Sequence, residues 1–256
     1  MKKYEHLHPP LIARITAEES KKRSEKAVEK ATKTRLHQLY GAYQQPKSYK
    51  KAAALLTTTP DPTALLRLHT STLERLPHYQ TFYQFILSHI PAPQTILDLG
   101  CGFNPFSLPI LQALMPTTPI RSYHAFDIDD LQAALINRFF ALLHLPENAS
   151  CADLATITPT AKADIAFLLK LLPVLEAQTP GRGYQLARAL NAPFLVISYP
   201  LKSLGGKEKG MARFYRHTFE QAITTGLMSP FTLRAEKEIG TEWVCILKNP
   251  ANGVID

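Results

Sequence analysis

Acidic side chains and two glycines stand where predicted strands end, and residues of these types can bind a nucleoside. The apolar run Thr95–Leu99 leads into Gly100-Cys101-Gly102, and paired glycines let a backbone turn tightly and approach a ligand closely. Asp127 follows the next apolar run, 25 residues beyond Gly102, where a carboxylate can accept hydrogen bonds from both ribose hydroxyls. Asp153 follows a third run and can accept a hydrogen bond from the amino group of an adenine.

The spacing of the glycines excludes two other kinds of ligand site. A dinucleotide-binding turn requires a third glycine at the position of Pro105, and a phosphate-binding loop requires a Lys-Ser or Lys-Thr pair that this turn lacks. The remaining pattern, Asp98-x-Gly100-x-Gly102, resembles the turn that binds the nucleoside of S-adenosylmethionine (SAM) in Rossmann-like methyltransferases. Each aspartate could instead cap a helix, but acids at three consecutive strand ends favour a binding site.

After Pro91-Ala92-Pro93, short apolar runs alternate with helix-like segments. Strands that alternate with helices predict an α/β fold with a mostly parallel sheet, whose ligands bind at the carboxyl ends of the strands. The predicted strands are Thr95–Leu99, Ser122–Phe126, Ala149–Cys151, Asp164–Leu169, Phe194–Ser198 and Trp243–Leu247.

The preceding region is predicted to be helical. We expect one helix from Thr16 to Tyr43 with a capping box at Thr16-x-x-Glu19, a short helix over Thr63–Leu68, and a longer helix with one buried aromatic face. That face comprises Tyr79, Phe82, Tyr83, Phe85 and Ile86. We therefore predict two domains, a basic helical recognition domain over residues 1–77 and a SAM-binding domain over residues 78–256.

Positive charge is concentrated at the beginning of the chain. The net charge of the 256 residues is +8, and residues 1–51 hold 13 basic and 5 acidic side chains, whereas residues 52–256 hold 16 of each. An appended basic element on a neutral body favours a polyanionic partner, although a solvated helix face is the alternative interpretation. The basic face, predicted to lack compensating acids, comprises Lys21, Lys22, Arg23, Lys26, Lys30 and Lys33.

Composition narrows the class of protein. A hydrophobic fraction of 45% excludes a disordered chain. The three widely spaced cysteines form neither a disulfide framework nor a CxxC pair. The histidines predict no metal site, because His6 and His8 lie in an N-terminal segment that we expect to be unstructured and the others are scattered. Neither a secretory signal nor an apolar run long enough for a membrane span is present. We expect a monomer in the cytoplasm that binds neither membrane nor DNA.

Five segments closely resemble one enzyme family, the aminoglycoside-resistance 16S rRNA methyltransferases that modify N7 of guanine 1405. The resemblance spans roughly residues 35–248, and its most specific parts are the Phe103-Asn104-Pro105 turn and the last segment. The segments are His69–Arg75, Ile96–Pro105, Tyr123–Asp129, Phe167–Glu176 and Ser203–Met211.

The resemblance implies a Rossmann-like SAM-dependent methyltransferase with a seven-stranded, mostly parallel sheet, a small helical N-terminal domain, and SAM as cofactor. In the family, the arginine at the position of Arg75 pairs with the SAM carboxylate, although the local pattern Ser71-x-x-Glu74 alone reads as a capping box beside a surface arginine. The residues implied to border SAM are His69, Thr70, Ser71, Arg75, Gly100, Gly102, Asp127, Asp153, Leu154, Leu169 and Gln178.

The chemistry of this reaction explains why no catalytic acid or base is expected. Guanine N7 carries a free lone pair and no proton, so catalysis requires in-line positioning rather than proton transfer. The target lies in folded rRNA of the 30S subunit, so we expect the base to be extruded into a pocket. We expect Phe103-Asn104-Pro105 to form one wall of that pocket, with Asn104 reading the base edge, unless Phe103 simply packs in the core.

Lysines near the same edge of the sheet are predicted to contact rRNA. Lys207 and Lys209 lie in the glycine-containing segment Ser203–Met211, which we expect to be a lid that orders on rRNA, with a flexible solvated loop as the alternative. Lys170 follows the strand Asp164–Leu169 and is a further candidate for rRNA contact.

Three other functions remain open on the sequence alone. The first is a related SAM enzyme that methylates adenine N1 at the neighbouring decoding-site position, which would protect against apramycin rather than gentamicin-type drugs. The second is a small-molecule methyltransferase, which would leave the basic N-terminal fifth unexplained. The third is a non-catalytic rRNA-binding or assembly protein, which the intact strand-end acids and glycines disfavour.

Overall fold

The computed structural model describes residues 4–41, 43, 47–57, 60–201 and 210–250. The helices are α1 (Pro9–Ser20), α2 (Glu25–Leu36), α3 (Ser48–Leu55), α4 (Pro62–Leu66), α5 (Thr70–Arg75), α6 (Tyr79–Leu87), α7 (Leu108–Ala113), α8 (Asp130–Leu142), α9 (Leu171–Gln178), α10 (Arg182–Arg188) and α11 (Met211–Thr224). The strands are β1 (Thr95–Leu99), β2 (Ser122–Asp127), β3 (Ala149–Cys151), β4 (Ile165–Leu169), β5 (Phe194–Pro200), β6 (Thr232–Ile239) and β7 (Glu242–Lys248).

The strands form one seven-stranded sheet in the order β3-β2-β1-β4-β5-β7-β6. The first five are parallel, while β7 runs antiparallel to both β5 and β6. This confirms the predicted Rossmann-like fold. The chain leaves β1 at the centre and builds outward on both sides, so the carboxyl ends of β1, β2, β3 and β4 meet at one edge.

The six predicted strands agree with the structure to within two residues at each end, but β6 was missed. Most of its residues are exposed, because it lies at the edge of the sheet and carries charged side chains. An exposed edge strand lacks the buried alternation on which a strand prediction depends.

The apolar core lies on both faces of the sheet. One cluster joins α6, with its predicted aromatic face buried, to the side chains of Ile96, Phe167 and Val196. The other packs α9 and α10 against residues such as Leu97 and Leu195. Adjacent residues of each strand therefore point to opposite faces and fill separate clusters, as buried parallel strands require.

The N-terminal region differs from the prediction in two ways. The predicted helix from Thr16 to Tyr43 is divided into α1 and α2 by a break at residues 21–24, and Thr16 and Glu19 lie inside α1 rather than at a cap. The segment around His6 and His8, expected to be unstructured, is bound to the sheet domain, since Leu7 is fully buried and pairs with Asp129. Tertiary contacts that are distant in sequence order this segment.

Asp129 connects the N-terminal helices to the sheet domain through hydrogen bonds. It is fully buried, caps α8 through the backbone N–H of Gln132 at 2.9 Å, and accepts hydrogen bonds from the hydroxyls of Tyr40 and Tyr49. The N-terminal helices have a separate small core that includes Leu11, Ile15 and Leu36. The domain boundary at residue 77 stays a prediction.

Candidate active site

The turn after β1 brings the backbone close to its surroundings at two glycines. Gly100 has φ of +62° and Gly102 has φ of +52°, and a Cβ atom would lie 2.8 Å from Leu171 Cδ1 at the first and 2.9 Å from His69 Cε1 at the second. The N–H of Gly102 donates to Asp127 Oδ2 at 2.8 Å. The turn at the end of β1 is therefore tied to the carboxylate at the end of β2.

A pocket opens at this edge of the sheet and gathers most of the predicted cofactor residues. His69, Ser71, Gly100, Gly102, Asp127, Asp153, Leu154, Leu169 and Gln178 all line it. The prediction did not include the residues from the N-terminal helices and from α8 and α9. These are Leu11, Leu39, Tyr40, Tyr43, Ile128, Gln132, Leu171, Val174 and Leu175.

The two strand-end aspartates differ in how they are held. Asp127 accepts backbone hydrogen bonds from Gly102 at 2.8 Å and from Ile128 at 2.7 Å, and its enclosure raises the pKa of its carboxyl above the usual value. Asp153 is almost fully buried, with the N–H of Ala155 on one oxygen and the Arg14 guanidinium on the other at 2.9 Å.

Arg14 is a pocket-supporting residue that the sequence analysis missed. From α1 it donates to Asp153 and also to Gln178 Oε1 at 2.9 Å. It thereby links the N-terminal helices to two predicted cofactor residues. Its separation of 139 residues from Asp153 left no local signal of this contact.

Tyr43 and His69, whose rings stack, form part of one wall of the pocket, and Phe103 packs against His69 without lining the pocket. The His69 ring lies between Tyr43, at 6.1 Å and nearly parallel, and Phe103, at 5.5 Å. The hydroxyl of Ser71 lies 2.9 Å from His69 Nδ1. Burial, assisted by the charges of Arg75 and Lys170, lowers the pKa of His69 to about 3, so the ring is neutral at physiological pH.

The expectation that Phe103-Asn104-Pro105 forms a wall for the target base does not agree with the structure. All three residues are buried, and none lines the pocket. Asn104 Nδ2 donates to Asp98 at 2.8 Å, while its Oδ1 accepts from the Tyr79 hydroxyl at 3.0 Å. The Phe103-Asn104-Pro105 turn therefore has a structural role in the interior, because the side chain of Asn104 forms hydrogen bonds with buried polar groups that would otherwise be unpaired.

Arg75 and Thr70 also lie off the pocket lining. The Arg75 guanidinium is 4% exposed, pairs with Glu242 at 2.8 Å, and donates to Asn104 at 3.2 Å. Within the described part of the chain, Arg75 Nε is buried without a hydrogen-bond partner, so the guanidinium keeps one donor that neither Glu242 nor Asn104 uses. Glu242 was missed because its partner is 167 residues away; its only local signal is an acid at the start of an apolar strand.

A second cavity of about 360 Å³ adjoins the first and shares Leu39, Tyr43, Lys170, Val174 and Gln178 with it. Lys170, as one of these shared residues, lies at the boundary between the two cavities. Its ammonium lies 2.7 Å from Glu74 and 3.5 Å from Glu242. The remaining lining residues of the second cavity are Arg35, Gln38, Glu74, Pro173, Ala177, Pro200, Met211 and Tyr215.

The basic face is exposed as predicted, but it is not free of acids. Arg23 pairs with Glu19 and Lys33 pairs with Glu29, each at 2.7 Å, because residues four apart are neighbours on a helix. Within the described part of the chain, Lys21, Lys22, Lys26 and Lys30 form no ion pair. The predicted rRNA contacts Lys207 and Lys209 lie outside the described residues.

Across residues 4–41, 43, 47–57, 60–201 and 210–250, no cluster of three His, Cys, Asp or Glu side chains is arranged to hold a metal ion. Among the helices described above, none has both the length and the apolar character that crossing a membrane requires.

Comparison with known proteins identifies the family of the chain. A curated relative from Serratia marcescens, named 16S rRNA (guanine(1405)-N(7))-methyltransferase, is 36% identical over 248 residues, which cover 96% of this chain and 94% of the relative. A relative with the same name from Micromonospora echinospora is 37% identical over 203 residues, or 75% of this chain and 73% of the relative.

Comparison with solved structures leads to the same kind of enzyme. The 16S rRNA methylase RmtB superposes with a TM-score of 0.82 at 34% identity, covering 97% of this chain and 94% of RmtB. The methyltransferase RmtF, solved in complex with S-adenosyl-L-homocysteine, gives a TM-score of 0.82 at 31% identity, covering 96% of this chain and 93% of RmtF. A family model described as "Ribosomal RNA methyltransferase (FmrO)" matches residues 1–229. The chain therefore belongs to the ribosomal RNA methyltransferase family, as its sequence motifs predicted.

Proposed function

We propose that this protein transfers a methyl group from SAM to N7 of guanine 1405 in the 16S rRNA of the 30S subunit, and thereby confers aminoglycoside resistance. The observation that carries the proposal is the pair of adjoining cavities at the strand ends. One has the groups that a nucleoside needs, and the other is open to a base and meets the first at Lys170.

The residues of the first cavity fit SAM. Gly100 and Gly102 leave open the space that a Cβ atom would fill. Each oxygen of Asp127 accepts one backbone N–H and retains a lone pair for a ribose hydroxyl. Leu154, with Leu169 and Leu175, offers apolar surface for the faces of an adenine, while Asp153 supplies an acceptor for its amino group.

The polar residues at the other end would hold the methionine part. His69 and Ser71 line the pocket, and we assign them to the methionine end by analogy with the family. The other predicted contacts, Thr70 and Arg75, are not among the lining residues. When bound, SAM supplies an electrophilic methyl group on a sulfonium. The neutral His69 ring presents no positive charge to that sulfonium.

The protein's part in the reaction is positioning. N7 of guanine attacks with its own lone pair, so no side chain removes a proton, and the walls of the two cavities align the acceptor with the methyl group. Positive charge moves onto the base during the transfer. At the junction of the cavities Lys170 is paired with Glu74 and lies near Glu242, which is itself paired with the buried Arg75. The developing cation therefore does not meet an excess of positive charge.

The N-terminal helices would dock on rRNA. Lys21, Lys22, Lys26 and Lys30 are exposed on α2 and the preceding turn, and lysines placed this way bind phosphates without reading sequence. Recognition by shape and backbone charge favours the assembled subunit over naked rRNA. Because ribosomal subunits are its substrate, the enzyme would act in the cytoplasm, and we expect it to be a monomer.

Transfer of labelled methyl groups to ribosomal substrates tests the proposal. Purified protein and labelled SAM should label 30S subunits in one position per subunit and label naked 16S rRNA much less. Expression in a susceptible bacterium should protect against gentamicin-type drugs and spare apramycin sensitivity. Protection against apramycin would instead indicate the adenine N1 position, and absence of label on 30S subunits would contradict the proposal.

A further inference from the structure

We infer that Glu74 reads the Watson–Crick edge of the target guanine, accepting hydrogen bonds from N1–H and the N2 amino group, while Lys170 donates to O6. The inference rests on the proposed function, because it takes the second cavity as the site of the extruded base. It assigns guanine specificity to an acid that the mechanism above uses only as a counter-charge.

The order of the groups across the two cavities matches the order of atoms around a guanine. Lys170 lines both cavities, whereas Glu74 lines only the second. Around the base, N7 is followed by O6 and then by N1–H and the N2 amino group. If N7 faces the methyl group in the first cavity, O6 lies at the boundary beside Lys170. The donors then lie farther out, beside Glu74.

The two side chains are also neighbours, as O6 and N1 are. Lys170 Nζ lies 2.7 Å from Glu74 Oε2, so a single base edge can reach both. The backbone holds Lys170 in an unusual position, with φ of +57° in the left-handed region, and its N–H donates to the Ser198 carbonyl at 3.0 Å. Non-glycine residues in this region are strained and are concentrated at functional sites.

The walls of the second cavity suit a flat ring. Tyr43 and Tyr215 provide aromatic surface, and Pro200 and Met211 provide apolar surface. Burial raises the pKa of Tyr43, and the nearby Tyr215 and Glu74 add to the effect. Tyr43, Tyr215 and Glu74 all line the second cavity, so their side chains share one space. A base can stack on aromatic rings in such a space while its edge is read by charged groups.

This arrangement favours guanine over adenine. A carboxylate accepts both N1–H and N2–H of guanine, and an ammonium donates to O6. Adenine presents an unprotonated N1 to the carboxylate and an amino group to the ammonium, so both contacts would become repulsive. A site built to hydrogen-bond a substrate rejects an analogue that leaves its buried polar groups unpaired.

The same contact would strengthen during the reaction. Methylation at N7 places a positive charge on the purine, which makes N1–H a stronger donor. The hydrogen bond from N1–H to the carboxylate is therefore stronger in the transition state than in the ground state. Only an interaction that strengthens in this way accelerates the chemical step.

The test combines a protein substitution with a change in the base. 30S subunits are reconstituted with 16S rRNA that carries either guanine or inosine at position 1405, inosine being guanine without the N2 amino group. Wild-type protein should methylate guanine roughly 10-fold faster than inosine, the value of one charged hydrogen bond. Glu74→Gln should lower kcat on guanine about 30-fold and reduce the guanine-to-inosine ratio to about 1.

The controls separate base reading from a structural role. Glu74 is 35% exposed and its replacement is isosteric, so S-adenosyl-L-homocysteine should bind the variant as it binds wild type, which also shows that it is folded. Glu147→Gln, an exposed acid between α8 and β3, should change neither rate nor ratio. Lys170→Met should slow both bases equally and preserve the ratio.

Two results would overturn the inference, and they are distinct from failure of the proposed function. If Glu74→Gln slows guanine and inosine by the same factor, Glu74 acts only by holding Lys170 in place. If the wild-type enzyme does not distinguish the two bases, the N2 amino group is not read. Absence of methylation on guanine by the wild-type enzyme would instead contradict the proposed function.

Discussion

At the scale of single residues, Asp127 shows how the strand ends are organised before any ligand binds. Its two oxygens accept the N–H groups of Gly102 and Ile128, so the carboxylate is fixed where it lines the pocket. A fixed acceptor binds ribose hydroxyls without a cost for ordering the side chain.

Replacing this carboxylate should weaken cofactor binding. Asp127→Asn keeps one acceptor oxygen but points an amide donor at a hydroxyl or a backbone N–H, so we expect the Kd for S-adenosyl-L-homocysteine to rise about 30-fold. Isothermal titration calorimetry measures it, with Glu147→Gln as the exposed-acid control. An unchanged Kd would remove Asp127 from the ribose site.

His69 should stay neutral well below physiological pH. Its pKa is lowered to about 3, mainly by burial, from 6.5 in the unfolded chain. The unfolded state therefore binds this proton first, and the stability that His69 contributes is lost as pH falls from about 6.5 towards 3. The NMR signal of the His69 ring is assigned by its disappearance in the His69→Gln variant. In a pH titration, the chemical shift of this signal should not change between pH 8 and about pH 5. A midpoint near 6.5 would contradict the buried environment.

The limits of sequence prediction are clearest among these residues. The strand-end acids and glycines could be predicted because their position follows from the alternation of strands and helices. Burial of Asn104 could not, since its partners Asp98, Tyr79 and Arg75 are brought together only by the folded chain. The same is true of Glu242, whose role is visible only beside Arg75.

At the scale of elements, α1 has two functions. Its buried side contributes Leu11 to the pocket, and Arg14 holds Asp153 and Gln178. Its end leads into the exposed lysines before α2. The sequence predicted a basic helix for rRNA recognition, but it gave no sign that the same helix closes the cofactor pocket.

A matched pair of substitutions on this helix and the turn after it separates the two functions. Arg14→Gln removes the charged partner of Asp153 and should raise the Kd for S-adenosyl-L-homocysteine about 10-fold, because a buried carboxylate loses its counter-charge. Arg23→Gln removes a half-exposed pair with Glu19 and should leave that Kd unchanged. If both substitutions raise this Kd by the same factor, Arg14 has no specific role at the pocket, and α1 affects cofactor binding only through the overall stability of the protein.

At the scale of the whole molecule, the exposed lysines of the N-terminal region line neither cavity, although other residues of that region, such as Leu11 and Arg35, do. The excess of positive charge lies in residues 1–51, while the two cavities open at the strand ends of the sheet. Affinity for the subunit and selection of the base are therefore assigned to different surfaces. An enzyme built this way should bind 30S subunits through charge and react only where a base reaches the second cavity.

This division predicts the salt dependence of 30S binding. Replacing Lys21, Lys22, Lys26 and Lys30 by glutamine should reduce the slope of log K against log salt by about 3, since each lost phosphate contact removes roughly 0.7–0.9. Binding of S-adenosyl-L-homocysteine should be unaffected. If the slope is the same as that of wild type, rRNA is bound by another surface.

The most direct test of the central claim maps the modified atom. 30S subunits treated with the protein and SAM are exposed to borohydride and aniline, which cleave rRNA at 7-methylguanine, and the break is located by primer extension. The account predicts a single SAM-dependent break at guanine 1405, strongly reduced with Asp127→Asn. Methyl incorporation without this break would contradict N7 of that guanine as the target.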